Sequence, residues 1–122
     1  AEDFLGAALD LFKTGRWSKV CFNAQQAAEL ALKAILNHYG FERRTHSLID
    51  LLEELIKINE DFKSFEEHAK ILDQYYIPTR YANAFASGPA KRYFTQQQAE
   101  QAITLAKSIL EKAKNIVIER GL

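Results

Sequence analysis

Apolar positions along the chain fall into blocks at helical spacing, and the block from Lys19 to His38 organises the others. Within it Val20, Ala24, Ala27, Ala31, Ala34 and Ile35 keep to one side, and Cys21, Ala28, Leu32 and Leu36 form a second row beside them. The two rows leave a narrow polar strip of Asn23, Gln26, Glu29 and Lys33, with Lys19 and Asn37 at its ends. A helix apolar around most of its circumference must be covered on several sides. Its many alanines let those neighbours approach closely. The pattern predicts the central helix of an all-α, up-and-down bundle of about five helices.

The remaining blocks supply the neighbours. Helix one is expected from Glu2 to Lys13, with Phe4, Leu5, Ala8, Leu9, Leu11 and Phe12 on its apolar side and Gly15 closing it. Ser18 is the expected N-cap of the central helix, Trp17 packs back as a staple, and Gly40 ends it. Ser47 caps a third helix, whose Leu48, Leu51, Leu52, Leu55 and Ile56 make one apolar face. Ser64 and Glu67 form a capping-box pattern for a fourth, which buries Phe65, Ala69, Leu72, Tyr75 and Tyr76 before Pro78 stops it. Thr95 and Gln98 repeat that pattern before the longest helix, which carries an apolar stripe from Ala99 to Val117, runs to Arg120 and ends at Gly121. No stretch alternates with the period of a strand, and residues 1–122 read as one domain.

Composition narrows the function classes. A hydrophobic content of 48% excludes a disordered chain, and a formal net charge of zero argues against a globally basic nucleic-acid binder. Any basic patch therefore has to be found by position. Cys21, the single cysteine, lies in an apolar row and reads as a buried thiol. His38, His46 and His68 lack metal-ligand spacing with cysteine or carboxylate partners, so neither a metal nor a cofactor is expected. His68 falls on the outer side of helix four. Charges break every apolar run within a few residues, so no membrane span is expected and the predicted location is cytoplasmic.

Charge is unevenly placed. No acidic residue occurs between Asp73 and Glu100, a stretch that holds Arg80, Lys91 and Arg92. With helices alternating in direction, the long connector 77–94 and the connector bearing Arg43, Arg44 and His46 fall at the same end of the bundle. Free N–H groups at the starts of helices three and five would point there too. Arg43, Arg44, His46, Arg80, Tyr81, Asn83, Lys91 and Arg92 are thus candidate contacts for a phosphate-bearing ligand, a nucleotide or single-stranded RNA. The plainer alternative is a solvated basic surface with its tyrosines in the core. For His46, capping of helix three is expected ahead of a phosphate contact. Glu29 and Lys33, four apart, make either a helical ion pair or a buried polar feature, and their place on an otherwise apolar helix favours the second. No glycine-rich phosphate loop or Ser-His-Asp set is present.

Three stretches together resemble a known family. Phe22-Asn-Ala-Gln-Gln-Ala-Ala-Glu-Leu-Ala-Leu-Lys33-Ala-Ile-Leu resembles the "aqqAaEkalKAll" helix of prokaryotic HEPN domains. Thr45-His46-Ser47-Leu48 resembles their "THdl", and Leu72-Asp-Gln-Tyr75-Tyr-Ile-Pro-Thr-Arg80-Tyr81 resembles their "Ld..Yi.tRYp". The blocks stand in the family's order and spacing, and the match covers nearly the whole chain. The resemblance implies a small helical bundle, like the nucleotidyltransferase substrate-binding domains, that forms homodimers and is often encoded beside a minimal nucleotidyltransferase. For many members it also implies a metal-independent ribonuclease of toxin–antitoxin or defence systems, with a signature Arg followed after four to six residues by His. Arg80 matches the arginine, but Phe85, Ala86 and Ser87 stand where the histidine belongs, and none transfers protons as imidazole does.

The expected function is therefore a non-catalytic, homodimeric nucleotide- or RNA-binding module acting with a minimal nucleotidyltransferase partner in a toxin–antitoxin-like system. A ribonuclease of the HEPN type, with His46 as substitute histidine, is the second expectation. A structural dimerisation domain is the third.

Overall fold

The computed structural model describes residues 1–76 and 94–121, the last four as backbone only. Helix α1 spans Glu2–Phe12, α2 Trp17–His38, α3 Leu48–Ile58, α4 Glu66–Asp73 and α5 Gln96–Gly121, with a 3-10 stretch, Glu60–Phe65, leading into α4. Among the described residues there is no strand.

Helix α2 is the centre, packed against α1, α3, α4 and α5, most extensively against α5. Ala24, Ala27, Ala28 and Ala31 of α2 and Ala99, Ala102 and Ala106 of α5 are all buried, so small side chains line both partners of the largest contact. Leu32, Ile35, Leu36, Leu51, Leu55, Leu72 and Ile109 fill the core around them. Cys21 is buried as read, and burial pushes its thiol up to about 12. Ala34 and Val117, counted in the apolar rows, are exposed instead, and α1 buries only Ala8 completely. One chain thus covers most of the apolar surface of α2.

The ends of α2 show how local chemistry sets boundaries. The helix begins at Trp17, one residue before the expected cap Ser18, and Arg16 precedes it without a side-chain cap. Trp17 packs on Phe12 at 5.1 Å, as a staple would. Gly40 takes φ +90°, and the amides of Phe41 and Gly40 bond back to the carbonyls of Leu36 and Asn37, a Schellman ending. The capping box at α5 forms reciprocally: the Gln98 amide donates to Thr95 Oγ1 at 3.1 Å, and the Thr95 amide to Gln98 Oε1 at 2.9 Å. The similar pattern at Ser64 and Glu67 does not form. Asn59 caps the chain upstream through the Asp61 amide, and Ser64 Oγ donates to the Asp61 carbonyl inside the 3-10 turn that results.

Direction matters for the site. The start of α1 meets the end of α5 through the Glu2–Lys114 ion pair, while Leu9, Phe12 and Lys13 at the end of α1 face Glu100, Ile103 and Thr104. Helix α1 therefore runs against α5. It also runs against α2, whose Ala31 and Ala34 lie beside Leu110, Ala113 and Val117. Helices α2 and α5 consequently share a direction.

His68 is half-buried rather than on the outer side of α4. Its Nδ1 is shielded without a hydrogen-bond partner among the described residues, and its ring meets the edge of Phe65 at 5.1 Å. Burial lowers its pKa below the ordinary 6.5. The unfolded chain then binds a proton that folded His68 resists, so this group's destabilisation sets in as pH falls through about 6.5. A melting series from pH 7.5 to 5.5 should show Tm falling with pH, and His68→Leu should flatten that slope. An unchanged slope in the variant refutes the assignment.

Candidate ligand site at the connector after the central helix

A buried carboxylate in an apolar helix demands partners. Glu29 is 3% exposed, and its partners come from two directions. Along α2, Lys33 Nζ donates to Glu29 Oε2 at 3.0 Å and Gln25 Nε2 to Oε1 at 3.4 Å, both one helical turn away. From the connector, His46 Nδ1 lies 3.0 Å from the same Oε2. Gln25 Nε2 also donates to the His46 carbonyl at 3.3 Å, so two α2 residues grip one connector residue. The two readings of the Glu29–Lys33 pair coincide: it is an i,i+4 ion pair whose carboxylate is buried.

The connector is shaped to deliver this histidine. After Gly40 the chain folds back along α2, and His46 meets Glu29 about two and a half turns before that helix ends. Thr45 Oγ1 accepts from the Ser47 amide at 3.1 Å, closing a tight turn around His46. The imidazole stacks on Tyr76 with centroids 5.0 Å apart and planes 14° apart. Its side chain is 51% exposed. The ring is therefore fixed on two sides and open on the rest.

Asp73 ties α4 to α3. Its Oδ1 accepts from the Leu48 amide at 2.7 Å, and its Oδ2 from the Ile49 amide at 3.0 Å and Ser47 Oγ at 3.2 Å. Ser47 Oγ accepts from the Asp50 amide at 3.1 Å, the cap read from the sequence. The free N–H groups expected at the start of α3 are thus already bonded, and a carboxylate of the protein sits where a ligand anion was expected. His46 accordingly does not cap α3: Ser47 and Asp73 do, and His46 turns to Glu29 instead.

The basic candidates divide. Arg43 is held by Glu54 Oε2 at 3.3 Å and lies over the Phe41 ring at 5.4 Å, while Arg44 is exposed. Arg80, Tyr81, Asn83, Lys91 and Arg92 lie outside the described residues. What is described is where that segment leaves and returns: Tyr75 and Phe94 pack together at 5.8 Å, next to the Tyr76–His46 stack. Gln25 and Asp73 belong to the site although the apolar and charge patterns do not single them out; both stand inside the quoted motif blocks. An uncharged glutamine one turn before Glu29 was the available signal for the first. For Asp73, bonded across 24 to 26 residues, helical periodicity held none, and its place after Leu72 in the third motif block was the available signal.

The comparisons agree with this architecture. The model of the HEPN domain matches residues 1–116. The chain belongs to the HEPN domain family. Among solved structures, TT1696 from Thermus thermophilus superposes with a TM-score of 0.83 at 41% identity, over 93% of this chain and 90% of that one. ST0689, an archaeal HEPN homologue, gives 0.79 at 31% identity over 95% and 90%. A HEPN domain protein from Thermotoga maritima, TM0613, gives 0.74 at 30% over 95% and 92%. A curated relative from Methanocaldococcus jannaschii, named "Putative toxin MJ1304", is 26% identical over 98% of this chain and 85% of its own length. Among the described residues of this HEPN domain, no three His, Cys, Asp or Glu side chains are grouped to hold a metal ion, and no helix is long and apolar enough to cross a membrane.

Proposed function

We propose that this HEPN domain is a homodimeric binding module for a phosphate-bearing ligand, a nucleotide or RNA, working in the cytoplasm with a minimal nucleotidyltransferase partner in a toxin–antitoxin-like system. One observation carries the reading: His46, half exposed, is gripped by buried Glu29 and stacked on Tyr76, near the start of the acid-free segment. Arg80 follows Tyr76 by four residues, a chain length of at most about 14 Å. Arginine near an aromatic pair suits a phosphate with a base beside it. Tyr81, Asn83, Lys91 and Arg92 belong to the same acid-free stretch and are proposed as further contacts, with Arg44.

Titration of ATP and short RNAs against wild type and Arg80→Ala tests this. Removing a charged phosphate contact should weaken binding by about tenfold or more. No binding by either ligand, or an unchanged affinity in the variant, ends the proposal. The dimer would close over the shallow groove of about 510 Å³ where Ala34 and Val117 are exposed beside Ala31, Leu110 and Ala113. Sedimentation of Val117→Glu should then read monomer where wild type reads dimer.

A second reading is favoured by the same histidine. A carboxylate-held imidazole is equipped to move protons, which suits a metal-independent ribonuclease, and the relative from Methanocaldococcus jannaschii carries a toxin's name. Cleavage of RNA in the presence of chelator, abolished by His46→Ala, would support it. Cleavage that survives His46→Ala would exclude His46 as the substitute for the signature histidine.

A further inference from the structure

The connector from α2 to α3 is pinned at its two ends by bonds its middle does not share. The Phe41 amide bonds to the Leu36 carbonyl at 2.9 Å, and on the far side Asp73 and Ser47 fix the first amides of α3. Between these posts, residues 42–46 lie on the bundle with no buried residue among them. What holds them down is mostly polar. His46 bonds to Glu29 at 3.0 Å, its carbonyl to Gln25 at 3.3 Å, Arg43 to Glu54 at 3.3 Å and Thr45 to Asp50 at 3.4 Å, beside the stack on Tyr76. Lifting the stretch exposes little apolar surface, so the burial that anchors Leu48 and Leu51 does not oppose it.

The two carboxylates that grip the stretch share a second property. Glu29 has Lys33 at 3.0 Å one turn further along α2, and Glu54 has Lys57 at 3.6 Å along α3. Gln25 adds a bond to Glu29 from one turn before. Removing the partner of a buried charge is costly when nothing replaces it. Here each carboxylate keeps a lysine of its own helix after the connector has gone. The grip is therefore built so that it can be let go.

We propose that residues 42–46 form a releasable strap. They leave α2 and α3 as a unit while the bundle stays folded, and Lys33, Gln25 and Lys57 keep Glu29 and Glu54 paired in the open state. Opening bares the face of Tyr76 on which His46 stacks, so the strap controls what the chain just after α4 presents to its surroundings. The inference concerns the protein by itself and does not rest on the binding reading above.

Limited trypsin digestion of the whole chain tests it, because the strap carries Arg43 and Arg44. Fragment masses separate cuts after these two residues from cuts at other basic residues. Each rate is taken relative to a peptide of residues 38–50 with the same substitution, in the same solution. Where reclosing outpaces cutting, the rate follows the open population. In wild type the strap should be cut from the folded protein, and the rate should climb with urea far more shallowly than global unfolding does, since little surface is exposed. His46→Ala removes a charge-assisted bond and should speed the cut about ten- to a hundredfold while the chain still folds. Lys33→Leu should instead slow it by about threefold or more, because opening would then leave Glu29 without a charged partner.

A wild-type cut with the urea dependence of global unfolding overturns the strap, and that series needs no variant. So does a strap left uncut in both wild type and His46→Ala, or a His46→Ala chain cut no faster than wild type. A His46→Ala chain that does not fold, or a faster cut in Lys33→Leu, shows that the helix partners are no substitute for His46 and overturns it as well.

Discussion

Asp73→Ala should destabilise the fold by about 2–3 kcal/mol, a drop of roughly 6–15 °C in Tm. The carboxylate accepts three hydrogen bonds at the start of α3, two from backbone amides and one from the Ser47 hydroxyl. It also sets a negative charge against the positive end of the helix dipole. Without it the Leu48 and Ile49 amides must find water at a partly covered junction, and the end of α4 loses its tie to α3. Asp73→Asn should recover little. Both carboxylate oxygens accept from amides, so an asparagine would set its NH₂ against an N–H donor. Thermal melts of the two variants check this, and an Asp73→Asn protein as stable as wild type would contradict the bridge. The loss should also reach the site, because Tyr76, the platform under His46, lies one turn of chain beyond Asp73.

Phe62→Ala should have the larger effect on stability, about 3–5 kcal/mol, the usual range for truncating a buried phenylalanine. The ring is 1% exposed and is the only fully buried side chain of the Glu60–Phe65 stretch. It anchors the turn that hands the chain from α3 to α4, and Lys112 of α5 lies over it at 5.7 Å. Phe62→Leu keeps most of the buried area and should cost about 1 kcal/mol. Denaturant unfolding of both variants would measure the difference. If the alanine variant cost no more than the leucine one, the anchoring role would be wrong.

Phe62 illustrates why part of the fold was hard to see in the sequence. Its neighbours Ser64 and Glu67 carry a capping pattern as good as that of Thr95 and Gln98, and only the second pair forms a box. Asn59 competes for the first, bonding the Asp61 amide and starting the turn early. Two caps within reach of one backbone cannot both set the boundary, and periodicity does not rank them. The supposition that simple alternation of helices brings the two connectors together met a similar limit. Helices α2 and α5 run the same way, and the first connector reaches Tyr76 because residues 41–46 fold back along α2 to Glu29.

What the chain's own order of residues determined is whatever depends on neighbours within a turn or two. That covers the five helices of the described residues, the apolar faces of α2 and α3, the caps at Ser47 and Thr95, the glycine ending of α2 and the misfit of Glu29 among alanines and leucines. These follow from spacings of three and four and from the needs of helix ends, which are local. The motif blocks that mark the HEPN family were legible on the same footing. Tertiary structure alone decided that His46 joins the local Lys33 and Gln25 on Glu29, what fills the start of α3 and which side of His46 is left open. His46 reaches Glu29 from 17 residues away, and Asp73 reaches the start of α3 from 24 to 26. At such distances a contact depends on how packed helices place the chain, and no repeat in the sequence records it.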